Sequence, residues 1–151
     1  MIPVRLAKGF TLIELMITLA VMAIVVAVGY PMYTDQVLKS HRVDAKSVLM
    51  QVALVQERFY VVNGTYGTAV QLGAEYTNVI NGVDRDGDGD GNGDYYTFAV
   101  DEDPDNNALT DDFLLTAATA GAQTGDADCA TFTIDQTGAR AATGADTDNC
   151  W

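Results

Sequence analysis

Polar and apolar positions divide this chain into stretches with different periods. Residues 10–29, FTLIELMITLAVMAIVVAVG, are apolar on every face and carry Glu14 as their single charge. A helix rises ~1.5 Å per residue, so a run of about 20 crosses a hydrocarbon core of ~30 Å. After Pro31 the pattern turns amphipathic. Val37, Leu38, Ala45, Leu49, Val52, Val55 and Phe59 recur mostly at helical spacings, while Lys39, Arg42, Asp44, Lys46, Gln51 and Glu57 fill much of the remainder. Asn63-Gly64 is a stop signal. The pattern predicts one helix of about 50 residues, ~75–80 Å long. Pro31 removes a hydrogen bond inside it, so a kink is expected there, with Gly29 adding looseness. The first half has no local partner and must pack in a membrane or against other copies.

Beyond Gly64 the period shortens toward that of strands. Thr65 to Asp94 is rich in Gly, Asn and Asp and reads as loop. Strands are expected at Tyr95–Val100, Phe113–Ala118, Ala130–Ile134 and Ala139–Ala142, the last pair joined by a turn at Asp135-Gln136-Thr137-Gly138. Short links between sequential strands favour an antiparallel sheet. Its inner face would cover the helix stripe, giving an α+β head with about four strands.

Charge changes the picture next. The 151 residues carry a net charge of −13, and all 21 acidic residues lie beyond Gly9. Such a surface repels phosphate backbones, so no direct nucleic-acid binding by this subunit is expected. Arg5 and Lys8 precede the apolar run and should stay cytoplasmic. The run exceeds an ordinary signal-peptide core and no A-x-A-like site follows it, so it stays with the mature protein. Glu14 costs a few kcal/mol in a span. No Lys, Arg or His lies between Phe10 and Tyr30, so its partner is another chain or a terminus, unless it snorkels to water. The lone His41 reads as a satisfied surface histidine. Cys129 and Cys150 read as a structural pair in an oxidising compartment.

Residues 84–94 alternate oxygen ligands with Gly, the pattern Ca²⁺ requires. Asp84, Asp86, Asp88 and Gly89 match the opening of an EF-hand-like loop, but its twelfth position is Tyr95 rather than Glu. Asp94 stands one residue earlier. A register shifted onto Asp86, Asp88, Asp90 and Gly91 ends no better, at Thr97. The candidate ligands are therefore Asp84, Asp86, Asp88, Asp90, Asn92 and Asp94, with Ca²⁺ favoured over Mg²⁺. A plain solvated acidic loop is the alternative. A second acidic group, Asp101, Glu102, Asp103 and Asp105, lies across the first expected strand.

Lys8-Gly9-Phe10-Thr11-Leu12-Ile13-Glu14-Leu15 resembles the prepilin motif of type IV pilins and type II secretion pseudopilins. The resemblance implies a leader at 1–9, cleavage between Gly9 and Phe10 by a prepilin peptidase, and methylation of the Phe10 amine. It implies that Glu14 pairs with the Phe10 amine of a neighbouring subunit. It divides the rest into a transmembrane helix at 10–30, its amphipathic continuation at 31–63, and a head at 64–151. Pro31 sits where pilins carry a helix-bending proline. FTIDQTGARA resembles the last hairpin of the pilin sheet, and Asp148-Asn149-Cys150-Trp151 resembles minor-pilin C-termini. A Cys129–Cys150 bridge would contribute ~3 kcal/mol in the chain-entropy model.

The function so implied is that of a structural subunit of a type IV pilus serving adhesion, motility or DNA uptake. Its partners would be other pilin subunits, the peptidase and an inner-membrane assembly platform. It would span the inner membrane of a Gram-negative-type bacterium once before assembly and lie in the extracellular pilus afterwards. A type II secretion pseudopilin is the alternative within this class. A membrane-anchored calcium-binding adhesin that never polymerises is the alternative outside it. An enzyme has little support, for G-x-S-x-G, a Cys–His pair and zinc spacings are all missing from the sequence.

Overall fold

The computed structural model describes residues 9–81, 95–102, 104 and 111–151. Helix α1 spans Leu12–Asn63, two residues later at its start than the apolar run. Thr11 sets that start. Its hydroxyl accepts the Glu14 backbone N–H at 3.3 Å, the Ncap-to-N3 bond of a capping box. Pro31 lies inside the helix and does not end it; Thr34 donates its hydroxyl to the Pro31 carbonyl at 2.8 Å. The chain forms two compact units, up to Val37 and from Leu38 onward. In the first, every large apolar side chain from Leu12 to Val28 is exposed. Among the described residues, α1 is the helix long and apolar enough to cross a membrane.

The second unit is a head built on the later half of α1. Ala45, Leu49, Val52 and Val55 turn inward, as the stripe predicts, and Val48 joins them. Gly64, at φ 74°, ends the helix and donates its N–H to the Tyr60 carbonyl at 2.8 Å. The buried Gln56 then holds the returning chain. Its amide donates to the Gly67 carbonyl at 2.7 Å and accepts the Gly67 N–H at 3.0 Å. A Cβ on Gly67 would lie 2.9 Å from the Phe59 ring, so only glycine lets the chain approach this closely.

The expected loop after Gly64 is in part a helix, α2, over Ala69–Asn81. A reciprocal capping box starts it. Gln71 donates its N–H to the Thr68 hydroxyl at 3.1 Å, and Thr68 donates its N–H to the Gln71 side chain at 2.8 Å. Leu72 and Ile80 of α2 are buried.

The sheet is an antiparallel meander in the order β1-β2-β3-β4. Its strands are β1 Tyr96–Asp101, β2 Leu114–Thr119, β3 Thr131–Asp135 and β4 Arg140–Thr143, each one residue later than the sequence pattern places it. Tyr96, Leu115, Ala117, Phe132 and Ile134 are buried and join Ala45, Val48, Leu49 and Val52 in one core. Tyr76 of α2 donates its hydroxyl to the Phe98 carbonyl of β1 at 3.4 Å. At the β3–β4 turn, Asp135 accepts the backbone N–H groups of Thr137 and Ala139, both at 2.9 Å. Gly138 supplies the left-handed position there, at φ 77°.

Candidate assembly site and its supporting clasp

Gly9, Phe10 and Glu14 are solvent-exposed at the head of α1. The Thr11 cap makes Glu14 a first-turn residue, where a carboxylate also favours the positive end of the helix dipole. Glu14 therefore has a local structural use as well as the intermolecular one the motif implies.

A second exposed feature runs along the later half of α1. Val43, Ser47, Met50, Leu54, Glu57 and Val61 succeed one another by alternating steps of four and three. At about 100° per residue these positions share one face, opposite Ala45, Val48, Val52 and Gln56. Val43, Met50, Leu54 and Val61 are exposed. The helix thus carries one apolar stripe against its own sheet and a second that is exposed among the described residues, with Arg140 reaching the Met50 sulfur at 3.8 Å.

A polar clasp that no sequence pattern announces joins α1 to the segment after β2. Arg42 donates to both Asp126 oxygens, from Nε at 2.7 Å and Nη2 at 2.5 Å. Asp126 also accepts the Gln123 amide at 2.8 Å and the Cys129 N–H at 3.3 Å. The Gln123 amide nitrogen also donates to the Leu38 carbonyl at 3.2 Å, so its oxygen faces His41 Nδ1, 2.9 Å away. Neutral His41 therefore carries its proton on Nδ1. It also stacks on Tyr95, with ring centroids 3.5 Å apart. His41 is buried rather than on the surface, and Arg42, read as part of the polar face, is buried too. Burial alone would raise the Asp126 carboxyl. The hydrogen bond and charge of Arg42, with Cys129 and Gln123, outweigh it and hold the group below the usual carboxylate range. Tyr96 beneath them is pushed up to about 12, first by burial and next by Asp126.

Cys129 and Cys150 form a disulfide across a sequence separation of 21. Both are fully buried. Lys46 of α1 donates to the Cys150 carbonyl at 2.9 Å, and burial lowers the pKa of its ammonium. Trp151 packs edge-on against Phe132, donates its indole N–H to the Ala141 carbonyl at 2.6 Å and lies under the Arg140 guanidinium at 5.1 Å. The segment from Gly121 onward is therefore tied to the helix by the Asp126 clasp and by Lys46.

Asp84, Asp86, Asp88, Asp90, Asn92 and Asp94 lie outside the described residues, as do Asp103 and Asp105. Among the described residues no group of three or more His, Cys, Asp or Glu side chains is placed to hold a metal.

Two family models match the chain. One, described as type IV minor pilin ComP, DNA uptake sequence receptor, covers residues 31–133. The other, the prokaryotic N-terminal methylation motif, covers residues 4–30. The solved structure of a type IV pilin from Shewanella oneidensis is similar at a TM-score of 0.50 and 27% identity, over 76% of this chain and 97% of that one. No curated protein sequence matches.

Proposed function

We propose, from the premise that the chain belongs to the type IV minor pilin family and is a type IV pilus subunit, that it is cut between Gly9 and Phe10, methylated on Phe10, and drawn from the inner membrane into a filament. The observation that carries this is the methylation motif heading a helix whose large apolar side chains from Leu12 to Val28 are all exposed. Such a surface is stable only in lipid or against other helices. In the membrane it anchors the subunit; in the filament, neighbouring pilin subunits replace the lipid. Glu14 then meets the Phe10 amine of the next copy, and the low dielectric strengthens that attraction. The role is structural, with the prepilin peptidase and an inner-membrane platform as its assembly partners.

Intact-mass and N-terminal peptide analysis of the protein from sheared surface filaments tests this. The expected chain begins at N-methylated Phe10. A chain retaining Met1 to Gly9 would deny Glu14 its partner, leaving an anchored protein that does not polymerise.

The description of the matching family favours DNA uptake as the process the filament serves. In the described head Arg42 is clasped, Lys46 is tied to Cys150 and Arg140 lies over Trp151, which leaves the exposed Lys39 and Arg58 as the cations open to a duplex. With a net charge of −13, this subunit supports uptake through the filament rather than by gripping phosphates alone. Deleting it should lower transformation, while the purified subunit should not retard DNA at physiological salt. Tight retardation would reverse the second part. The oxygen-only donor set of Asp84, Asp86, Asp88, Asp90, Asn92 and Asp94 further suits a bound Ca²⁺.

A further inference from the structure

A groove of about 330 Å³ opens between the last turns of α1 and the start of α2. Val55, Phe59 and Leu72 line it, and Val55 and Leu72 are buried. Its size falls at the lower end of small-molecule sites, about 300–1,000 Å³. The two walls carry opposite charges. Arg58 of α1 and Glu75 of α2 approach to 4.0 Å, with side chains 74% and 63% exposed. A pair this long and this exposed adds little to stability and leaves both groups free to take other partners. Val62, which also lines the groove, is 81% exposed, so its apolar character continues onto the surface. Gly73, at φ 60° and ψ −132°, breaks α2 between Leu72 and Glu75. That break lets Leu72 sit in the core while Glu75 stands on the rim.

We propose that this groove binds a small zwitterion with an apolar body, a free α-amino acid of about leucine size. Its carboxylate meets Arg58, whose planar fork suits a bidentate contact. Its ammonium meets Glu75, and its side chain lies over Val55, Phe59 and Leu72. The charge arrangement selects this class. A simple anion is repelled by a chain of net charge −13. A simple cation leaves Arg58 unmatched and has many other carboxylates to visit. A zwitterion adds no net charge and satisfies both walls.

The test is methyl NMR of the full chain in lipid-bilayer discs, following Val55, Val62 and Leu72 during titration with L-leucine, N-acetyl-leucine and leucine amide. Saturable shifts with leucine are expected, with each singly charged analogue at least about tenfold weaker, since each lacks one charge-assisted contact. Arg58→Gln and Glu75→Gln should each weaken leucine binding by a similar factor. Both positions are exposed, and an unchanged core methyl spectrum verifies folding. Should either variant misfold, the analogue series decides by itself. No saturation up to the solubility limit of leucine overturns the proposal. Equal binding of all three ligands overturns it too, because the groove would then be an apolar slot indifferent to charge.

Discussion

At Asp126, burial and charge pull in opposite directions. Desolvation favours the neutral acid, while Arg42, Gln123 and the Cys129 N–H favour the carboxylate, and the carboxylate prevails. The folded pKa is thus depressed below the unfolded value of ~3.9. The stability this residue contributes is full above that unfolded value and is lost as pH falls through the folded one. Melting curves recorded on acidification should therefore show a transition that Asp126→Asn flattens. At neutral pH, Asp126→Asn leaves Arg42 with a side chain only 11% exposed and no bidentate partner. Breaking such a pair costs about 3 kcal/mol or more, read as a lower denaturant midpoint at unchanged slope. Reducing the Cys129–Cys150 bridge should cost a similar ~3 kcal/mol. The two losses should not add, because the Cys129 N–H joins the same carboxylate.

The two faces of α1 make different predictions at the scale of the element. Leu54 on the outer stripe is exposed, so Leu54→Glu should leave the unfolding free energy of the subunit within about 0.5 kcal/mol of the parent. Filament yield should fall sharply, because a charge then meets the neighbouring copy; normal yield from a stable variant would remove this stripe from the interface. Leu49→Glu, on the buried face, should instead unfold the head. The inner stripe was legible because apolar residues at helical spacing have a direct physical meaning. The strands were legible from their alternation to within one residue, the usual ambiguity where a turn meets a ladder. Helix α2 was missed because Gly73 and the polar positions around it dilute the periodic signal. The Thr68–Gln71 pair that starts it was nevertheless visible in the sequence. The Arg42–Asp126–Gln123–His41 clasp could not be read at all. Its members are polar residues separated by more than 80 positions, and nothing local marks them for burial.

Across the whole molecule, the acidic residues must be reconciled with a head that stays folded and with copies that pack side by side. Like charges destabilise both states, the more so at low ionic strength. Asp84, Asp86, Asp88, Asp90 and Asp94 concentrate five of the 21 acidic residues in eleven positions. A cation that binds the folded state more tightly than the unfolded one stabilises it by mass action, about 2.7 kcal/mol when free Ca²⁺ stands at 100 times its dissociation constant. For a domain of this size that shifts the melting temperature by several degrees, at roughly 2–8 °C per kcal/mol. Adding excess chelator to the full chain in bilayer discs should therefore lower its melting temperature. Restoring Ca²⁺ should recover it, whereas equal ionic strength supplied as sodium chloride should recover only a part. Asp86→Asn with Asp88→Asn should abolish the calcium response and, by removing two repelling charges, raise the stability of the calcium-free chain. If sodium chloride matches calcium, the acidic run is a solvated loop whose repulsion any salt relieves. If the double variant responds to calcium as the parent does, the cation is held elsewhere among the carboxylates.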